Sequence, residues 1–230
     1  MSQRRFALYF APEDRSALAA FGWWWLGRRP DATAPQPLPD VGLDPALQAD
    51  LVADARRYGF HATLKAPFRL AEGTHAEALR DAVAAFARQR RPFVEPPFAL
   101  ADLHGFLAFR PQAPSPAIQA LADDGVRAFD RFRAPPTEAE RQKRLGAPLT
   151  DRQRDHVEAW GYPYVFEDFR LHLTLTRRLR DAERAEVRAV LDRLSAPVLR
   201  EAVAFRSVCL FEQADAHTPF VLAERFSFGG

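Results

Sequence analysis

The chain has 230 residues and an almost even charge balance, with 32 Lys and Arg against 30 Asp and Glu. Hydrophobic residues make up 47% of the sequence and aromatic residues 12%, which excludes an intrinsically disordered polypeptide. A formal net charge of +2 does not by itself indicate a polyanionic partner. Cys209 is the only cysteine, which excludes an intramolecular disulfide and a multi-cysteine metal site.

The sequence also predicts where the protein resides. It contains no apolar run of about eighteen residues, and the apolar stretch at 6–10 is too short for a signal peptide. We therefore expect a cytoplasmic protein that neither spans nor binds a membrane. Cys209 lies in the apolar segment Ser-Val-Cys-Leu-Phe, where a buried, inert thiol is expected.

Hydrophobic periodicity and turn residues predict the elements in chain order. Up to residue 133 they are a strand at 6–10, a helix at 13–26, a proline-rich loop at 28–45, a helix at 45–56, a strand at 58–68, a helix at 75–90, hairpin strands at 98–103 and 105–109 that turn at His104-Gly105, and a helix at 118–132. The remainder comprises helices at 137–145 and 150–160, each with a Thr cap, a strand at 169–176, a helix at 181–194, and strands at 202–211 and 220–228.

The order of the elements is loosely repeated, because a strand, a helix and paired strands occur in both parts of the chain. This pattern predicts an α+β protein with a duplicated, two-lobed fold, in which each lobe is an antiparallel sheet with flanking helices and the lobes pack about a central cleft. We expect residues 1–230 to form a single domain, with an N-terminal lobe at 1–133, a helical connection at 134–162 and a C-terminal lobe at 163–230.

Two copies of His-x-Thr-Leu are the strongest functional signal. They begin at His61 and His172, and both lie in segments that alternate like strands. Because residues i and i+2 of a strand share a face, each copy presents an imidazole and a hydroxyl in the same direction, about 7 Å apart along the chain. Two complete copies are expected by chance in roughly one such sequence in several thousand.

Such a pair suits hydrolysis or transfer at a phosphodiester. One group must take a proton from the attacking oxygen and another must give a proton to the leaving oxygen, and imidazoles with a pKa of about 6.5 do both near neutral pH. Threonine hydroxyls would donate hydrogen bonds to the non-bridging phosphate oxygens. The sequence thus predicts His61, Thr63, His172 and Thr174 as catalytic residues, and leaves open which histidine is the base.

The same strand faces supply candidates for substrate binding. Lys65 continues the face of the first motif, and Arg170, Thr176 and Arg178 continue the face of the second. Of these, we expect Lys65 and Arg178 to bind the phosphate charge.

Neither a metal nor a cofactor is predicted. The motif histidines have no Asp, Glu or third His at a ligand spacing such as His-x-x-x-His, and no glycine-rich nucleotide loop of the Gly-x-Gly-x-x-Gly or Gly-x-x-x-x-Gly-Lys type occurs. We therefore expect catalysis that needs neither.

At its two motifs the sequence resembles the 2H phosphoesterase superfamily, which is defined by two His-x-Thr/Ser motifs on facing strands of a duplicated fold. Segments 58–70, 160–165 and 169–179 are more closely similar to a branch found with bacterial phosphonate-utilisation genes. The resemblance implies metal-independent action on a cyclic phosphodiester, with both His and both Thr in the roles given above, and the pathway association points to a ribose cyclic phosphate. Tyr164, just before the second motif, is a candidate for stacking on a base or sugar and equally for loop packing.

Three functions of different classes remain open. The first is hydrolysis of a small cyclic phosphodiester, the second is RNA end processing or ligation, and the third is phosphate-ligand binding without catalysis. The partner is a small molecule in the first case and RNA in the second, and the near-zero net charge argues mildly against RNA. The presence of both complete motifs argues against the third.

Overall fold

The computed structural model describes residues 4–230. The elements are β1 (Arg5–Phe10), α1 (Ala17–Leu26), α2 (Pro45–Tyr58), β2 (Ala62–Phe68), α3 (Ala76–Arg88), β3 (Phe93–Glu95), β4 (Ala99–Leu103), β5 (Phe106–Arg110), α4 (Pro116–Phe129), α5 (Glu138–Leu145), α6 (Asp151–Trp160), β6 (Leu173–Thr174), α7 (Asp181–Ser195), β7 (Val203–Phe205), β8 (Ser207–Gln213) and β9 (Val221–Ser227). Short 3₁₀ turns occupy Asp130–Phe132, Phe166–Asp168 and Val198–Arg200. None of the helices between residues 4 and 230 combines the length and the apolar character that a membrane span requires.

Local capping sets the ends of several helices. The Ser16 side chain accepts a hydrogen bond from the Ala19 amide, so α1 begins at Ala17 and not at 13 as predicted. Thr137 and Thr150 open α5 and α6 with capping boxes, which confirms the predicted threonine caps.

The two-residue hairpin between β4 and β5 also follows the prediction. His104 and Gly105 have φ values of +53° and +101°, and positive φ at both central residues is what the twist of a two-residue hairpin favours.

The strands form three antiparallel sheets, in the orders β2-β1-β8-β9, β3-β7 and β4-β5-β6. The chain is therefore an α+β protein with antiparallel sheets, as predicted. Strands from early and late in the chain are mixed in each sheet, since β1 pairs with β2 on one side and with β8 on the other. The ranges 1–133 and 163–230 thus do not each build a sheet of their own.

The two faces of β1 pack against different apolar groups. Phe6, Leu8 and Phe10 belong to the large core between the sheets and the helices. Ala7 and Tyr9, on the opposite face, belong to a smaller cluster. This second face positions the first motif.

The predicted strand at 169–176 is much shorter in the structure, where only Leu173 and Thr174 pair with β5. Beyond them the amides of Leu175 and Thr176 both donate to the Leu107 carbonyl, at 2.9 and 3.3 Å. The Thr176 hydroxyl accepts from the Leu107 amide at 3.0 Å. A side chain therefore replaces a backbone partner, and the regular ladder ends.

The predicted strand at 202–211 is divided into β7 and β8, which belong to different sheets. The sequence does not indicate the partner of β7, the short strand β3. Their pairing places the rings of Phe93 and Phe205 in a stack with centroids 4.7 Å apart.

Candidate active site

The imidazole of His61 is held through both ring nitrogens just before β2. Nδ1 lies 2.8 Å from the carbonyl oxygen of Gly59, and Nε2 lies 3.2 Å from Thr63 Oγ1. Because a carbonyl only accepts, Nδ1 carries the proton and Nε2 of the neutral ring keeps a lone pair. The ring also stacks on Tyr9, with centroids 3.7 Å apart.

The second imidazole is held in the same way. His172 Nδ1 donates to the carbonyl of Arg170 at 2.7 Å, again two residues earlier in the chain, and the ring lies 5.6 Å from that of Phe106. Thr174 follows in β6, opposite Ala108 of β5. Both motifs therefore fix the imidazole to the backbone at Nδ1, while Nε2 of His61 contacts the Thr63 hydroxyl.

A buried arginine supports the turn before His61. Arg28 is 1% exposed, and its guanidinium donates to the carbonyls of Ala32, Arg56 and Phe220 at 2.6, 2.7 and 2.9 Å. These bonds tie the end of α2 to the segment before β9. Gly59 follows α2 with φ +82°, and a Cβ there would lie 3.1 Å from the Arg28 guanidinium, so glycine suits both the backbone and the space.

A buried tryptophan ties α1 to the second motif. Trp25 is fully buried, and its indole Nε1 donates to the carbonyl of Leu175 at 2.9 Å. This bond fixes the backbone one residue after Thr174. The spacing of residues in the sequence does not indicate it, because the partners lie far apart in the chain.

Both histidines are shifted toward the neutral form. The pKa of His61 is lowered to about 4, mainly by burial and also by the charges of His172 and Arg28, while the hydrogen bond to Gly59 opposes the shift. Burial, and then the charge of Arg110, lower the pKa of His172. The free protein therefore holds two neutral imidazoles near pH 7.

The expectation that Lys65 shares a face with Thr63 is wrong. Along β1, Tyr9 pairs with Thr63 and Leu8 pairs with Lys65, which leaves Leu64 without a partner of its own. Such a bulge shifts the alternation of side chains between the two faces of the strand by one residue. Since neighbouring residues of β1 point to opposite faces, the lysine points away from the threonine.

The amine of Lys65 is already bound within the protein. The residue is 3% exposed, and Nζ lies 3.2 Å from both the Val126 carbonyl and Asp130 Oδ1. Burial lowers the pKa of this amine while the charge of Asp130 raises it. Lys65 therefore binds a helix and a carboxylate in place of the expected phosphate.

The other predicted binding residues differ in their surroundings. The Thr176 hydroxyl is buried and bonded to the Leu107 amide, and the Arg170 guanidinium donates to the carbonyls of its own segment. Arg178 is exposed beside the hairpin turn. Tyr164 is 46% exposed, with its ring edge-on to Tyr162 at 5.6 Å. Substrate binding by Arg178 and Tyr164 stays a prediction.

The structure also reveals a cleft, hereafter the basic cleft, with a volume of about 380 Å³. Its cationic lining residues are Arg5, Arg69, Arg133, Lys143 and Arg144. They come from separate parts of the chain, so no motif or spacing in the sequence brings them together.

Residues 4–230 contain no group of three or more His, Cys, Asp and Glu side chains placed to hold a metal ion. Cys209 is buried in β8, and burial raises the pKa of its thiol to about 11. The thiol is therefore neutral and inert, as expected.

A family model described as "Protein of unknown function (DUF1045)" matches residues 63–221. A Janthinobacterium protein named ribose 1,5-bisphosphate phosphokinase PhnN is 39% identical over 236 residues, which cover 100% of this chain and 52% of that protein. A Laribacter hongkongensis protein of the same name is 38% identical over 179 residues, covering 78% of this chain and 41% of that one. The chain thus spans about half the length of the curated relatives it matches. The crystal structure of E. coli LigT complexed with 3'-AMP matches with a TM-score of 0.43 and 12% identity, covering 99% of each chain.

Proposed function

The chain belongs to the DUF1045 family, and we propose from its own residues that it is a phosphoesterase that opens a small cyclic phosphodiester without a metal. The observation that carries this proposal is that the imidazoles of His61 and His172 are held by equivalent hydrogen bonds. Each Nδ1 donates to the carbonyl two residues earlier, so neither Nε2 is tied to the backbone and each can exchange a proton with a substrate. Two such groups are what a phosphodiester requires.

We propose that the two histidines have different roles, with His61 as the base and His172 as the acid. Since burial lowers the pKa of His61 to about 4, its Nε2 is unprotonated and serves as the base. It takes a proton from water as the water oxygen forms a bond to phosphorus. The bond from phosphorus to the leaving oxygen breaks, and His172 gives that oxygen a proton. An anionic phosphodiester between the rings raises the pKa of both imidazoles, which supplies the protonated His172.

The threonines complete the proposed site. Thr63 and Thr174 donate hydrogen bonds to the non-bridging oxygens, where charge collects in the transition state. The Thr63 hydroxyl already lies 3.2 Å from His61 Nε2, so it is close to where the phosphate would bind.

A ribose cyclic phosphate is the substrate that we propose. The names of the two relatives refer to a ribose carrying phosphates, and the resemblance to proteins found with phosphonate-utilisation genes points to the same chemistry. We do not extend the kinase activity to this chain, because it spans only about half of those relatives and its sequence has no Gly-x-x-x-x-Gly-Lys loop to hold a nucleotide.

Phosphorus NMR tests the proposed reaction directly. The protein is incubated in excess EDTA with ribose 1,2-cyclic phosphate and, separately, with 2',3'-cyclic nucleotides. We expect ring opening of the ribose compound that survives EDTA. His61→Ala and His172→Ala should each lower turnover by several powers of ten, since each removes a proton-transfer group together with its electrostatic role. The double variant should be little worse than either single variant.

His75→Ala is the matched control. His75 is exposed at the start of α3 and its side chain makes no capping hydrogen bond, so this variant should keep full activity. Activity that EDTA abolishes, or that persists in either motif variant, would overturn the two-histidine mechanism. Preference for the nucleotides would favour RNA processing.

A further inference from the structure

The basic cleft carries an excess of positive charge. Five of the side chains that line it are cationic, and Glu140 is the only carboxylate among them. The cations come from β1, from the end of β2, from the segment after α4, and from α5. A concave surface with this lining attracts an anion.

Internal ion pairs account for two of the five cations. Arg69 bonds to Glu140 at 2.9 Å, and Arg133 bonds to Asp130 at 2.7 Å. Both guanidiniums therefore already have a carboxylate partner within the protein, although Arg133 shares Asp130 with Lys65.

The other three cations have no carboxylate partner within the described residues. Arg5 donates to the amide oxygen of Gln213 at 2.7 Å. The Arg144 guanidinium lies over the ring of Tyr162, 5.3 Å from its centroid, and Lys143 is exposed beside it. Three cations without a carboxylate partner, gathered in one cleft, favour a ligand that supplies negative charge.

The cleft adjoins the histidine site through aromatic side chains. Tyr58 lines the cleft, and its ring centroid lies 6.3 Å from that of His61. Tyr9, which stacks on His61, and Arg5 share one face of β1, four residues or about 13 Å apart along the strand. Tyr58 is therefore a neighbour of both His61 and the basic cleft, so the two lie side by side.

We propose that the basic cleft binds a second phosphate of the same substrate, a terminal phosphomonoester one sugar length away from the cyclic diester. This inference rests on the proposed function and narrows it to a sugar cyclic phosphate that carries a further phosphate. A phosphomonoester has nearly two negative charges at pH 7. Arg144 matches it with a planar fork of donors, and Lys143 adds a point charge.

Two substrates that differ only in the second phosphate measure how much the basic cleft contributes to kcat/KM. We compare kcat/KM for ribose 1,2-cyclic phosphate with and without a 5-phosphate. The wild-type protein should prefer the phosphorylated substrate by about tenfold or more, on the scale of a hydrogen bond to a charged group. Arg144→Gln and Lys143→Gln should each bring the ratio toward one. Lys143 is exposed, so its substitution does not endanger folding.

Arg141→Gln serves as the matched control on the same helix. Arg141 pairs with Glu158 at 2.6 Å and does not line the cleft, so its substitution should leave the substrate ratio unchanged. An equal ratio in the wild-type protein, or a ratio that Arg144→Gln and Lys143→Gln leave intact, would overturn the assignment of the cleft.

Calorimetric titration with ribose 5-phosphate separates this inference from the proposed function, because this probe has no diester to open. We expect it to bind the wild-type protein and to bind Arg144→Gln about tenfold more weakly. Binding that follows this pattern without any ring opening would support the cleft and overturn the phosphoesterase. Ring opening of both substrates with no binding of ribose 5-phosphate would support the phosphoesterase and overturn the assignment of the cleft.

Discussion

Two imidazoles that are both neutral in the free protein give a characteristic dependence of activity on pH. The profile of kcat/KM reports the pKa values of the free enzyme. Activity should rise as His61 loses its proton near pH 4, and fall as pH passes the lowered pKa of His172, which lies below 6.5. We therefore expect kcat/KM to be highest on the acidic side and to decline through neutrality. Assays with a cyclic phosphodiester between pH 4 and 8 would check this, and an alkaline optimum would contradict it.

At this scale the sequence predicts that the imidazole and the hydroxyl of the first motif point in the same direction, because this depends only on the period of a strand. His61 Nε2 and Thr63 Oγ1 indeed lie 3.2 Å apart. The hydrogen bond from His61 Nδ1 to the Gly59 carbonyl is not predictable in the same way. It depends on the left-handed backbone at Gly59 and on Arg28, which reaches carbonyls from three parts of the fold.

Among the elements, β2 shows why a strand pattern alone misplaces a side chain. A slip of one residue moves every following side chain to the other face. The register of β2 shifts at Leu64 because β1 offers it no partner, and a sequence that alternates regularly gives no sign of this. Lys65 therefore changes from an expected phosphate ligand into a buried partner of Asp130.

Substitution of Lys65 should consequently affect stability and leave substrate binding intact. In Lys65→Met the Val126 carbonyl loses its partner, while Asp130 keeps Arg133. We expect a loss of about 1–3 kcal/mol in the free energy of unfolding and an unchanged KM for the cyclic diester. Chemical denaturation and steady-state kinetics measure the two quantities. Arg178→Gln, at an exposed position, is the comparison and should barely change stability. If Lys65→Met kept its stability and had a raised KM, Lys65 would bind the substrate phosphate after all.

In the whole molecule, the identity of most elements follows from local patterns, whereas the pairing of the strands does not. Hydrophobic periodicity predicts α3 and the β4-β5 hairpin because their signals are local. The sequence predicts β1 and β8 as strands, but their pairing joins residues about 200 positions apart, such as Ala7 and Phe211. Contacts at that range decide how the two parts of the chain combine.

Shared sheets predict that the chain unfolds as one unit. Without residues 163–230, β1 would lose β8 as a partner and its apolar faces would be exposed. We therefore expect a single transition in calorimetry, with equal calorimetric and van't Hoff enthalpies, and coincident fluorescence and circular dichroism curves. Fragments 1–133 and 163–230, produced separately, should show no cooperative transition. Two resolved transitions, one of them reproduced by a fragment, would mean that the ranges are independent lobes after all, in spite of the strands they share.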